Sequence, residues 1–184
     1  MGIGNILWSD EGFGTHLLEI LHQGYELADN ITLVDGGTQG MFLLPLICDC
    51  DALIILDAID FGLKGGELKL ISGEDVPQYM GAKKISMHQT GFQEVLAAAR
   101  MMNNFPAEIA LVGVQPVSLE YGGDLSDEVK KAIPECLLII KKLLLQWGAQ
   151  IHEINAEFST ACDNNNQQHE TLIPSPLAGM HNDY

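Results

Sequence analysis

Short apolar runs alternate along the chain with stretches in which apolar residues recur at helical spacing. The apolar runs predict strands at 31–34, 52–56, 67–71 and 109–114. The helical spacings predict helices over 13–27, 40–48, 89–102 and 126–148, the last with Ser126 as N-cap, Pro134 as a kink and Gly148 as C-terminal stop. This alternation predicts an α/β fold, a three-layer sandwich in which a twisted, mostly parallel sheet carries helices on both faces.

The chain has 184 residues, 47% of them hydrophobic, which suits one domain with a substantial core. We predict that residues 1–154 form this single α/β domain. Residues 155–184 are polar and include five consecutive Asn and Gln residues at 164–168. They are predicted to be a flexible C-terminal tail.

The start of the chain departs from this pattern. Only Met1 precedes a glycine-rich loop at 2–14, where a doubly wound fold has a first strand of about five residues. The expectation is a truncated or misplaced start, or else a sheet that lacks this strand.

A formal net charge of −16, from 25 acidic and 9 basic residues, argues against binding to nucleic acid or to an anionic membrane surface. The longest apolar run, 137–147, is too short to span a bilayer and is broken by Lys141 and Lys142. The first residues are unlike a signal peptide, and the cysteines have no metal-binding spacing; they are Cys48, Cys50, Cys136 and Cys162. We therefore expect a cytoplasmic protein with free thiols.

Acidic residues stand where three apolar segments give way to turns. Asp10 and Glu11 lie in the glycine-rich loop before the first helix, Asp35 precedes a Gly-Gly pair, and Asp57 follows the strand at 52–56. Ligands of open α/β sheets bind outside the carboxyl ends of the strands, so these acids predict one cleft. Each also has a structural interpretation: Asp10 as a cap, Glu11 as a partner of the helix dipole, Asp35 in an Asx turn, and Asp57 as an N-cap or turn acid.

His88 precedes the helix at 89–102 and could join two of these carboxylates. Two carboxylates and one imidazole from separate elements make a reasonable site for a divalent transition metal. A dinucleotide site is the weaker alternative, with Gly2 and Gly4 opening a glycine pattern and Asp35 as the ribose acid. It is disfavoured because Leu7 occupies the third glycine position.

Several motifs, in order, resemble the maturation endopeptidases of nickel-iron hydrogenases, in particular the branch that serves membrane-bound uptake hydrogenases. The similarity runs from about Gly2 to Gly148 and includes GIGNILWSDEGFG, VDGGTQG, LIILDAID, KKISMHQ and ALVGVQP. It implies a cytoplasmic hydrolase of the aspartyl type that removes a short C-terminal peptide from a hydrogenase large-subunit precursor. We expect the protein to be a monomer.

The resemblance also implies roles for individual residues. Glu11, Asp57 and His88 would bind nickel supplied by the precursor, or another divalent ion in vitro, and Asp57 and Glu11 would be catalytic. The stretch Asp35, Gly36, Gly37 and Thr38 would bind the substrate. A non-catalytic nickel chaperone or docking module with the same cleft is the alternative.

Overall fold

The centre of the protein is a five-stranded sheet with strand order β3-β1-β4-β6-β5. The computed structural model describes residues 1–82 and 87–154, without the side chains of residues 80–82 and 87–90. Neighbouring strands are parallel except at the edge, where β5 runs antiparallel to β6. The strands are β1 (Gly2–Ile3), β3 (Asp35–Gly37), β4 (Ala52–Ala58), β5 (Leu68–Ser72) and β6 (Glu108–Val114).

Within the described residues, five α-helices accompany the sheet: α1 (Phe13–Gly24), α2 (Leu44–Cys48), α3 (Val76–Ala82), α4 (Met87–Met101) and α5 (Asp127–Gln146). Single-turn 3₁₀ helices precede α1, α2 and α3 at Ser9–Gly12, Gly40–Leu43 and Gly73–Asp75. A second sheet pairs β2 (Tyr25–Leu27) with β7 (Ile151–Glu153) in antiparallel fashion. All of these strands and helices lie in one compact unit, Met1–Glu153.

Side chains of the central strands alternate between two hydrophobic cores, one on each face of the sheet. On one face, Ile55 and Leu111 pack with residues of α2, α3 and α4. On the other face, Leu56 and Val112 pack with residues of α1 and α5. Because β4 and β6 are covered on both faces, they read as continuous apolar runs in the sequence. The predicted three-layer α/β sandwich with a mostly parallel sheet is confirmed.

The helix predicted over 13–27 is too long by three residues. It ends at Gly24, and Tyr25 adopts an extended backbone conformation that begins β2. Pairing of β2 with β7, more than a hundred residues later, replaces the last helical turn. The spacing of apolar residues within one segment does not predict pairing with a strand so far away in the sequence.

Two further predictions need correction. The strand predicted at 31–34 is irregular, and the regular pairing with β1 is made by Asp35–Gly37, although Val34 still accepts a hydrogen bond from Gly2 N at 3.0 Å. Pro134 lies within the continuous helix α5, which begins after the predicted N-cap Ser126.

The position expected to lack a strand is occupied by the two-residue strand β1 between β3 and β4. Met1 extends it, since Leu56 N donates to Met1 O at 3.0 Å. The predicted tail at 155–184 lies outside the described residues.

Candidate active site

Glu11 and Asp57 both lie at the carboxyl edge of the parallel strands, on neighbouring segments of the fold. Asp57 is the penultimate residue of β4 and is fully buried, and Glu11 is 8% exposed within the 3₁₀ turn that precedes α1. The prediction that Asp57 follows its strand is wrong by two residues, because β4 continues through Ala58. Taking two carboxylates out of water at one sheet edge costs free energy, which their contacts in the fold must offset.

Two glycines let the segment that carries Glu11 lie directly on the strand backbones. A Cβ on Gly4 would stand 1.9 Å from Glu11 O, and Gly4 has a φ of +130°. A Cβ on Gly14 would stand 2.2 Å from Leu56 O and 2.5 Å from Ile3 O. The first turn of α1 therefore sits on β1 and β4, beside Asp57.

Asp10, next to Glu11, clamps this segment to the loop that follows β6. Its carboxylate accepts hydrogen bonds from Val117 N, Ser118 N, Ser126 N and Ser126 Oγ at 2.7–2.9 Å. Ser126 is the N-cap of α5, where its Oγ also accepts from Val129 N. The interpretation of Asp10 as a structural acid fits these contacts, since four donors saturate its oxygens.

Ser9 adds a second connection between the same two loops. It is buried with a φ of +39°, and its Oγ donates to Asp124 O at 2.8 Å. A hydrogen bond from Lys130 Nζ lowers the pKa of the Asp124 carboxyl group below its usual value. A left-handed backbone at a residue other than glycine stores strain, which surrounding contacts must hold in place.

The predicted substrate-binding stretch forms an exposed turn beside this segment. Asp35 Oδ1 accepts a hydrogen bond from Gly37 N at 3.0 Å. This contact forms the Asx turn that the sequence suggested for Asp35. Gly4 N donates to Gly37 O at 3.1 Å, so the turn is attached to the loop that carries Glu11. Gly36 is buried, whereas Asp35 and Thr38 are exposed.

Gln115 fixes the loop that follows Asp57 and was missed at the level of the sequence. Its Oε1 accepts hydrogen bonds from Phe61 N and Leu63 N at 2.8 and 3.1 Å, and its Nε2 donates to Asp60 Oδ1 at 3.1 Å. A single Gln before a proline carries no recognisable signal. Its role arises only because β6 lies next to β4 in the sheet.

The predicted trio of metal ligands is only partly described. His88 falls in the first turn of α4, but its side chain lies outside the described residues. Among the side chains that are described, no group of three His, Cys, Asp or Glu residues could hold a metal ion. The structure thus brings Glu11 and Asp57 to one edge, and the place of His88 beside them stays a prediction.

The fold is an α/β sandwich with two carboxylates at the carboxyl edge of its parallel strands, and comparison with known proteins gives the class: this is a maturation endopeptidase, a hydrolase. The chain belongs to the hydrogenase maturation protease family, whose model, HycI, matches residues 15–143. The resemblance read from the sequence motifs is therefore confirmed.

Individual relatives agree with this assignment. The hydrogenase expression/formation protein HupD of Rhizobium leguminosarum bv. viciae is 48% identical over 152 residues, which cover 82% of this chain and 75% of that protein. The hydrogenase 2 maturation protease of Escherichia coli K12 is 39% identical over 82% of this chain and 92% of its own length. The solved structure of the E. coli hydrogenase maturating endopeptidase HybD superimposes with a TM-score of 0.79 at 38% identity, covering 83% of this chain and 94% of HybD.

The helices give one further piece of information. In the parts of the chain that the structure describes, none of them is both long and apolar enough to cross a membrane.

Proposed function

We propose that the protein removes a short C-terminal peptide from the nickel-loaded large-subunit precursor of a nickel-iron hydrogenase, and that it recognises the nickel in that precursor. The observation that carries the proposal is the pair of buried carboxylates, Glu11 and Asp57, at one sheet edge in a hydrogenase maturation protease. We further propose that it does so in the cytoplasm as a monomer.

The two carboxylates suit peptide hydrolysis. One of them, Asp57 or Glu11, takes a proton from water as the water oxygen bonds to the scissile carbonyl carbon. The carbon–nitrogen bond then breaks, and the proton passes to the leaving amine.

Nickel enters this scheme as part of the substrate. Glu11 and Asp57, with His88, would supply oxygen and imidazole ligands, a donor set suited to nickel and to other divalent transition ions. When bound, the ion would hold the precursor in register over the carboxylates, which converts a loose encounter into a positioned one. A precursor without nickel would lack this anchor, and the enzyme would leave it uncut.

The turn Asp35–Thr38 completes the proposed site. Its exposed Asp35 and Thr38 can reach a bound polypeptide, while the buried Gly36 packs against Ile3 and Gly37, with a φ of +43°, turns the backbone toward Thr38. Because Gly37 O accepts a hydrogen bond from Gly4 N, a substrate bound at this turn lies next to the loop that carries Glu11.

The test compares nickel-loaded with nickel-free precursor, each incubated with the enzyme and then weighed by intact-protein mass spectrometry. We expect loss of a C-terminal peptide from the nickel-loaded form alone, and no loss with His88→Ala. Equal trimming of both forms, or of neither, would overturn the proposal. Formation of a stable complex without any loss of mass would instead support the chaperone alternative, which the protease relatives disfavour.

A further inference from the structure

An exposed apolar surface lies on the two loops that Asp10 joins. In the first loop, Leu7 is 51% and Trp8 is 41% exposed; in the loop after β6, Tyr121 is 69% exposed. We call Leu7, Trp8 and Tyr121 the aromatic platform. Large apolar side chains exposed together are typical of interaction sites.

The platform is held together by contacts between the loops. The rings of Trp8 and Tyr121 stack edge to face with centroids 5.4 Å apart. Gly122 N donates to Leu7 O at 2.8 Å, and the Asp10 carboxylate joins the first loop to the loop after β6 by hydrogen bonds from Val117 N and Ser126 N. A surface that is rigid before binding loses little conformational entropy when a partner docks.

The platform is attached directly to the catalytic segment. Glu11 N donates to Trp8 O at 2.9 Å within the same 3₁₀ turn. A polypeptide whose scissile bond lies at Glu11 and Asp57 therefore passes within a few residues of the platform. The platform's position is thus fixed relative to the bond that is cut.

We infer that the aromatic platform binds an apolar side chain of the hydrogenase precursor close to the scissile bond, and so contributes to substrate affinity. Trp and Tyr dominate the binding energy at protein interfaces, because they bury large areas at low entropic cost. The net charge of −16 opposes pairing of this surface with a second copy of the chain and favours a partner segment with basic flanks. The inference rests on the proposed function, because it assigns the precursor as the partner.

The kinetic test uses two leucines of similar exposure. Leu7 belongs to the platform, whereas Leu145, 62% exposed, lies at the far end of α5, which is 20 residues and therefore about 30 Å long. We expect Trp8→Ala to raise the KM for nickel-loaded precursor about tenfold, and Leu7→Ala about threefold, with the rise in KM accounting for the loss of kcat/KM. Leu145→Ala should match the wild type.

A second measurement uses the two tryptophans, Trp8 and Trp147, and needs no platform substitution. The enzyme is labelled with 5-fluorotryptophan, and its two ¹⁹F resonances are assigned with Trp147→Phe. On addition of unlabelled nickel-loaded precursor, the Trp8 resonance should change its chemical shift and the Trp147 resonance should not.

The outcomes separate the two proposals. If the wild type does not cut the precursor, the proposed function fails. If the wild type cuts it but Trp8→Ala and Leu7→Ala leave KM unchanged, or the Trp8 resonance does not move, the function stands and the platform is not a docking surface. A Trp8 shift without precursor, on raising the enzyme concentration, would assign the platform to self-association and overturn the inference.

Discussion

The Asp10 carboxylate is fully buried and accepts four hydrogen bonds, three from backbone N–H groups and one from the Ser126 hydroxyl. Asp10→Ala should lower the free energy of unfolding by about 3–5 kcal/mol, because it leaves buried N–H groups unpaired. Asp10→Asn should cost less, about 1–3 kcal/mol, because the amide NH₂ replaces one of two accepting oxygens. Urea unfolding followed by circular dichroism measures both.

Asp127, an exposed acid in the first turn of α5, provides the control for Asp10. Asp127→Asn should cost less than about 1 kcal/mol, the size of a helix-dipole interaction. If Asp10→Ala and Asp127→Asn lowered the free energy of unfolding equally, the hydrogen bonds of the Asp10 carboxylate would not be what holds the two loops together.

Ser9 offers a test of strain beside the site. Ser9→Ala and Ser9→Gly both remove the hydrogen bond to Asp124 O, but only glycine relaxes the left-handed backbone. Ser9→Gly should therefore be more stable than Ser9→Ala by about 1 kcal/mol in thermal or urea unfolding. A Ser9→Ala protein as stable as Ser9→Gly would contradict the strain assigned to this residue.

At the scale of elements, α1 supplies a matched pair of glycines. Gly14→Ala would drive a methyl group into the backbone oxygens of Leu56 and Ile3, so the helix must move off the sheet. We expect a loss of at least about 3 kcal/mol in unfolding free energy and a loss of processing activity. Purified variants compared by thermal unfolding and by precursor cleavage provide the measurement.

Gly24 ends the same helix, and a Cβ there meets nothing within 4 Å. Gly24→Ala should leave activity intact and gain up to about 1 kcal/mol from helix propensity. If both substitutions had the same effect, close packing of α1 on the strands would not be what places Glu11.

The elements themselves were largely readable from the sequence. β4 and β6 are apolar runs because both of their faces are covered, and α5 carries its N-cap Ser126 as expected. β2 and β7 were missed because their pairing joins distant segments and neither strand exceeds three residues. Short strands contribute too little periodicity to stand out from a helix.

At the scale of the whole molecule, the cores protect the one fully buried thiol that the described residues contain. Burial raises the pKa of the Cys136 thiol to about 12, whereas Cys48 and Cys50 are half-buried. Because only the thiolate reacts, Cys136 should resist iodoacetamide at pH 8 until the protein unfolds. Peptide mass mapping across a urea series should show Cys136 labelling rise together with loss of circular dichroism; labelling in the native protein would contradict this packing.

The candidate site was predictable in part for the same reason as the fold. Acids at the ends of apolar runs pointed to Glu11 and Asp57, because parallel strands bring their carboxyl ends together. Asp10 and Gln115 have tasks that no local pattern reveals, since the partners of Asp10 lie 107 or more residues away and those of Gln115 more than 50. Sequence motifs pointed to the candidate site, and the tertiary contacts show what holds its segments in place.

The most direct test of the account is the intact mass of nickel-loaded precursor after incubation with Asp57→Asn or Glu11→Gln, each shown by circular dichroism to be folded. The account predicts that the wild type removes the C-terminal peptide and that either variant slows this step by at least about a hundredfold, the usual contribution of a general acid or base. Release of the peptide by both variants at the wild-type rate would contradict it.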